Sequence, residues 1–179
     1  MKTDLASYKN AWYRPGSFFK RILWYYTNII FFKSGWFPFY KLKIFLLKTF
    51  GAKIGKNVLV KPFVNIKYPW FLTIGDHVWI GENVWIDNLA DITIASNVSL
   101  SQGAMLLTGN HDYTKSGFDL SIKKIVIEDG VWIGARAVVC PGVICKSHSV
   151  LIAGAVATKD LQEYVVYGGN PAEKIKNRI

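Results

Sequence analysis

Three histidines and two cysteines are the side chains of this sequence best suited to proton transfer, nucleophilic attack or metal binding. Cys140 and Cys145 form no Cys-x-x-Cys pair, and Cys140 lies beside Pro141 with no histidine close in sequence, so neither reads as a nucleophile or as part of a disulfide framework. His77 and His148 each hold the fourth place of a six-residue unit, IGDHVW and CKSHSV, where a turn residue is expected. His111 stands apart, in the stretch LTGNHDYTKSGFDLSIKK that spans residues 107–124 and interrupts those units. An imidazole with an unperturbed pKa near ~6.5 can take a proton from a hydroxyl at neutral pH, which makes His111 the candidate general base. Its neighbours Asn110 and Asp112 can orient the ring or hydrogen-bond the loop backbone, and the sequence does not choose between the two.

The scaffold that positions His111 is legible as a period of six. Apolar residues recur at Ile74, Ile80 and Ile86, at Ile94, Leu100 and Leu106, and at Ile127, Ile133, Val139, Cys145, Leu151 and Ala157. Four residues after most of them comes a small or β-branched residue, as at Val78, Val84, Ala90, Val98, Ala104, Val131, Ala137 and Val143. Apolar residues locked at this interval would drift around a helix of 3.6 residues per turn, so each unit is a short strand and a corner. If three units make one triangular coil, residues about 18 apart stack, placing Ile127 over Cys145 and Ile133 over Leu151. A weaker unit, IGKNVL, starts the first coil near Ala52, so residues 52–179 read as a parallel β-helix with an extruded loop at 107–124 and a tail at 158–179. Loops thrown out of a solenoid are commonly functional.

Residues 1–51 read as a basic, aromatic, helical cap. Ser17 to Phe32 and Pro38 to Phe50 fit helices, the second closed by Gly51. Up to Lys61 the chain carries twelve Lys and Arg against Asp4 alone, whereas the remainder is near neutral, so an anionic partner is expected at one end. The apolar stretch from Ile22 to Phe32 is too short to span a bilayer, and no signal-peptide pattern is present. The expected setting is a reducing cytoplasm, with the N-terminus able both to cover the solenoid's open end and to touch the inner face of the membrane. No nucleic-acid reading motif accompanies the charge. Gly168, Gly169 and Pro171 mark a turn, after which a short terminal helix is expected.

The segments WIDNL, LSQGAMLLTGNHDY, GVWIGARAVVCPGV, ATKD and GGNPA resemble the hexapeptide-repeat acyltransferases, in particular the branch of colanic-acid-biosynthesis acetyltransferases and galactoside, maltose and nodulation-factor O-acetyltransferases. The resemblance covers Ile54 to the C-terminus and implies an all-β fold, a left-handed parallel β-helix assembled as a homotrimer. It further implies acetyl-CoA as co-substrate, no metal, and a sugar or glycan acceptor of polysaccharide or exopolysaccharide biosynthesis, with sites in clefts between neighbouring β-helices. Carried over by motif, His111 is the catalytic base. Trp132, Ala135, Ala153, Thr158 and Lys159 contact the cofactor, and Asn88, Asp87, Asn110 and Asp112 lie near the acceptor. Ala153 and Ala155 stand in units that are richer in glycine in the family, and Trp132 shares its repeat position with Trp79 and Trp85, where corner packing is the competing role. Lys174, Lys176 and Arg178 are further candidates for the CoA phosphates. The rival readings are an amino-sugar N-acetyltransferase, a non-catalytic β-helix scaffold, and a zinc enzyme of the γ-carbonic-anhydrase type, which needs three convergent histidines.

Overall fold

The structure is a computed structural model describing residues 2–179. Short parallel strands stack into three sheets that form the faces of a triangular coil. The first face contains Lys53–Ile54, Leu72–Ile74, Ile92–Ile94, Ile125–Ile127 and Ile144–Cys145. The third runs from Asn65–Ile66 through Trp85–Asp87, Met105–Leu107 and Val138–Val139 to Val156–Ala157. The second face begins at Leu59–Val60 and has seven strands, six of them parallel. The inward ladder is the one the period dictates: the twelve apolar positions named above are each at most 2% exposed. Ile127 pairs with Cys145 and Ile133 with Leu151, as the 18-residue stacking requires. The turn positions adopt left-handed backbone at Asn57, His77, Asn97 and His148 on one corner and at Asn83 and Arg136 on the next. Asparagine suits that region because its short polar side chain lessens the steric cost.

The early coils depart from 18. Ile54, Ile74 and Ile94 are paired partners 20 residues apart, because the corner between the third and first faces holds two extra residues. Ala90 is therefore not in the ladder as its spacing suggests. It sits half-buried on that widened corner, and Ile92, fully buried, takes the inward place. Side chains brace the wider corner. Asn88, completely buried, accepts the Tyr68 N–H at 3.0 Å through Oδ1 and donates to the Tyr68 carbonyl at 2.6 Å through Nδ2. Thr108 Oγ1 accepts from Ala90 N at 3.0 Å and donates to the Asp87 carbonyl at 2.9 Å.

Helix α1 (Phe18–Thr27) is capped by Ser17, whose Oγ accepts from Lys20 N, and it continues as a wide π turn over Asn28–Phe32. Helix α2 (Tyr40–Thr49) begins after Phe39, two residues beyond Pro38, and ends at Gly51, whose φ is +102°. Both pack over the first coil. Trp24, 2% exposed, donates its indole N–H to the Ile66 carbonyl at 2.8 Å and packs edge-on against Phe32 and Phe50, within the same core as the ladder. The outer surface of α1 leaves Phe18, Phe19, Leu23 and Tyr26 exposed. Residues 4–13 run elsewhere: Asp4 N donates to the Ser116 carbonyl at 2.9 Å and Tyr13 Oη to the Leu89 carbonyl at 2.8 Å, so this arm runs between the extruded loop and the widened corner.

The expected C-terminal helix is a strand instead. Glu173–Asn177 folds back antiparallel onto Val165–Gly168, the last parallel strand of the second face. The turn residues 168–171 reverse the chain beside an open sheet edge, whose unpaired backbone groups offer more than an isolated exposed helical turn.

Candidate active site

The loop leaves the β-helix at the widened corner between the third and first faces. Thr108, fully buried, anchors its root, and the chain then rises as a two-stranded antiparallel ribbon in which Gly109–His111 pairs with Leu120–Ile122. A ribbon holds its residues more firmly than an irregular loop of this length. At its end the half-buried His111 ring is fixed on two sides. It stacks on Phe118 with centroids 4.6 Å apart and planes 8° apart, and Tyr8 of the N-terminal arm approaches to 5.9 Å. Nδ1 lies 2.8 Å from the Phe118 carbonyl oxygen. A carbonyl can only accept, so the proton of the neutral ring sits on Nδ1 and Nε2 keeps its lone pair. Phe118 presents that carbonyl from left-handed backbone, φ +53°. Phe63 and Tyr164 share this conformation elsewhere in the solenoid, so it sets the direction of the Phe118 carbonyl without by itself marking a site.

Neither sequence neighbour orients the ring. Asn110 Oδ1 accepts the His111 backbone N–H at 2.8 Å. Asp112 accepts from Thr114 N at 3.0 Å and Thr114 Oγ1 at 2.5 Å, and its carboxylate lies 3.8 Å from Lys115 Nζ. The Thr114 bonds hold the Asp112 carboxyl below the usual carboxylate range. Phe118 and Tyr8 were not legible as site residues, because the ribbon pairing and the arm that bring them in have no sequence signature. Asp87, at the root of the same corner, pairs with Lys67 at 2.9 Å. Both amide ends of Asn88 are engaged by Tyr68, so it braces the corner from within.

The residues matched to cofactor contacts gather elsewhere. Trp132 projects from the second face, half exposed, and donates its indole N–H to Ser101 Oγ at 2.8 Å. Ala135 and Ala153 follow on the corner between the second and third faces, one coil above the other; Gly154 N donates to the Ala135 carbonyl at 2.8 Å. Thr158 and Lys159 are exposed at the far end of the third face, one strand on. Trp132 thus lies on the second face and Ala135 and Ala153 on the corner before the third, whereas the loop bearing His111 leaves from the opposite edge of the third face. Arg178 is committed elsewhere, donating to the Gly130 and His148 carbonyls at 3.0 Å each.

His77 and His148 occupy left-handed turn positions on the corner between the first and second faces, away from His111, and His148 stacks on Tyr164 at 4.9 Å. Among the described residues no three or more His, Cys, Asp or Glu side chains gather to hold a metal ion. Burial pushes the thiols of Cys140 and Cys145 up, so both stay protonated and poorly nucleophilic.

No family model matches the chain. Among curated proteins it is 39% identical to the Escherichia coli (strain K12) protein named "Putative colanic acid biosynthesis acetyltransferase WcaF", covering 93% of this chain and 92% of that one. Among solved structures it superposes on a hexapeptide-repeat acetyltransferase from Vibrio cholerae in complex with acetyl-CoA with a TM-score of 0.73, 30% identity and 78% of each chain covered. A galactoside acetyltransferase in complex with coenzyme A aligns with a TM-score of 0.80 and 27% identity over 89% of this chain and 81% of that one.

Proposed function

The chain belongs to the hexapeptide-repeat acetyltransferases, and from that premise we propose that it transfers acetyl from acetyl-CoA to a sugar hydroxyl with His111 as the general base. The observation that carries the reading is the Nδ1 contact to the Phe118 carbonyl, which leaves Nε2 as the acceptor nitrogen of the ring. In the reaction Nε2 takes the hydroxyl proton as the oxygen attacks the thioester carbonyl. The C–S bond then breaks, and the imidazolium returns the proton to the departing CoA sulfur. General base assistance of this kind is worth about 10²–10⁴-fold. A coil backbone N–H stabilises the oxyanion. The raised thiols of Cys140 and Cys145 favour direct transfer over an acyl-cysteine route.

Because Trp132, Ala135 and Ala153 lie on the second face and the corner before the third, whereas His111 rises from the corner after it, a cleft between neighbouring copies in a trimer is the arrangement that joins donor to base. The loop of one copy would meet Trp132, Ala135 and Ala153 of the next, with Thr158 and Lys159 toward the nucleotide end. Among the described residues no helix is long and apolar enough to cross a membrane. The exposed Phe18, Phe19, Leu23 and Tyr26 of α1, at the strongly basic end of the chain, suit peripheral contact with an anionic bilayer. Phe19→Asp with Leu23→Asp should then abolish co-sedimentation with phosphatidylglycerol vesicles.

The test of the activity is thiol release from acetyl-CoA against a panel of sugars, amino sugars and sugar nucleotides. An acceptor-dependent product whose acetyl group is removed by mild base is an ester and supports O-transfer. A base-stable amide formed with amino sugars alone would replace this reading with N-acetylation.

A further inference from the structure

A groove of about 390 Å³ lies between α1 and the first coil, and none of its residues belongs to the donor or base sites described above. Arg21, Lys33 and Lys67 line it with the side chains of Tyr25 and Tyr68, and Asn28 borders the floor. Lys67 is paired with Asp87, whereas Arg21 and Lys33 have no ion-pair partner among the described residues. The groove therefore carries two uncompensated cations. Asn28, 8% exposed, donates from Nδ2 to Asn65 Oδ1 at 2.8 Å, and its buried Oδ1 has no donor among the described residues. The nearest acid before Lys67 in the chain is Asp4.

The position of the groove links it to the base. Ile66 pairs with Ile86 and Asp87 with Leu107, so Lys67, Asp87 and Leu107 stack at the start of one corner, and the loop bearing His111 leaves from Leu107. Two strand spacings, about 10 Å, separate the Lys67 coil from the root of the loop. Tyr13, bonded to the Leu89 carbonyl, lies along the same corner.

Resting on the acetyl-transfer reading, we propose that this groove binds the phosphate-bearing end of the acceptor, holding its sugar along the shared corner toward His111. Guanidinium and ammonium groups are the natural partners of phosphate oxygens, and two free cations match the two charges of a diphosphate linkage. The tyrosines offer flat apolar faces, and Asn28 Oδ1 at the floor is an acceptor without a donor among the described residues. The phosphate is either that of a soluble nucleoside-diphosphate sugar or one presented at a bilayer surface beside the apolar face of α1.

The experiment measures binding without acetyl-CoA, on the full chain, for wild type, the double variant Arg21→Gln/Lys33→Gln, and the control Lys41→Gln/Lys48→Gln on α2. The probes are UDP-glucose by calorimetry and vesicles of phosphatidylcholine with phosphatidylglycerol by co-sedimentation. At least a tenfold loss in the groove variant, roughly the loss of one charge-assisted contact, against less than about threefold in the control supports the site. The responding probe names the soluble or the membrane source. Equal losses in both variants mean diffuse charge attraction and overturn the proposal, as does an absence of binding to both probes. Acetyl-CoA turnover is followed separately, so groove binding that persists without turnover refutes the acetyl-transfer reading and not the phosphate site.

Discussion

Replacing Asn88 by alanine separates a structural role from a substrate-binding one. The amide spans the widened corner, satisfying both the N–H and the carbonyl of Tyr68, and it is completely buried. Alanine leaves the Tyr68 N–H without a partner, while the Tyr68 carbonyl keeps the Phe71 N–H at 3.0 Å. With one buried group left unpaired, Asn88→Ala should cost roughly 1–3 kcal/mol. For a chain of this size that corresponds to a fall in Tm of roughly 2–12 °C. Asn88→Asp should be at least as harmful, because one carboxylate oxygen would face the Tyr68 carbonyl. The assay is thermal unfolding at one scan rate for wild type and both variants, paired with acceptor KM on the folded fraction. An unchanged Tm with a tenfold rise in acceptor KM would refute the bracing argument and return Asn88 to the substrate.

Three further outcomes follow from the same structure. Cys145, in the buried ladder with its thiol pushed well up, should resist labelling by a thiol reagent until the protein unfolds, whereas the half-buried Cys140 reacts slowly in the native state; prompt labelling of Cys145 would contradict the ladder. Lys43 is buried in the cap, donates to the Lys61 carbonyl at 3.0 Å, and has its pKa lowered by desolvation. The unfolded chain therefore binds more protons between the lowered value and about 10.5, and stability rises with pH through that window. Lys43→Met should remove this rise, so denaturant midpoints for variant and wild type should shift in the mutant's disfavour as pH climbs toward 10.5. Trp132→Phe, which loses the bond to Ser101, should raise KM for acetyl-CoA several-fold with little change in kcat; a fall in kcat alone would move Trp132 out of the donor site.

Much of this architecture can be read from the chain because a period of six admits one answer: Ile127 over Cys145 and Ile133 over Leu151 follow from spacing alone. The hand of the coil does not, since periodicity is the same for either hand, and only family resemblance supplies it. The widened corners were hidden because IDNLAD imitates a repeat while Ile92, two residues late, fills the inward place. His111 stood out because it lies where the period fails. Its partners did not, because Phe118 reaches it through ribbon pairing and Tyr8 through an arm of no regular pattern. The C-terminal strand has no signature in the sequence, because an exposed five-residue segment takes its structure from the edge it meets.

The most direct test of the central claim compares acceptor-dependent thiol release from acetyl-CoA by wild type and by His111→Gln, each first shown to have the same oligomeric state and Tm. With His111 as the base, kcat should fall by about 10²–10⁴-fold while acetyl-CoA binding is retained. Turnover by the variant at the wild-type rate would contradict the account.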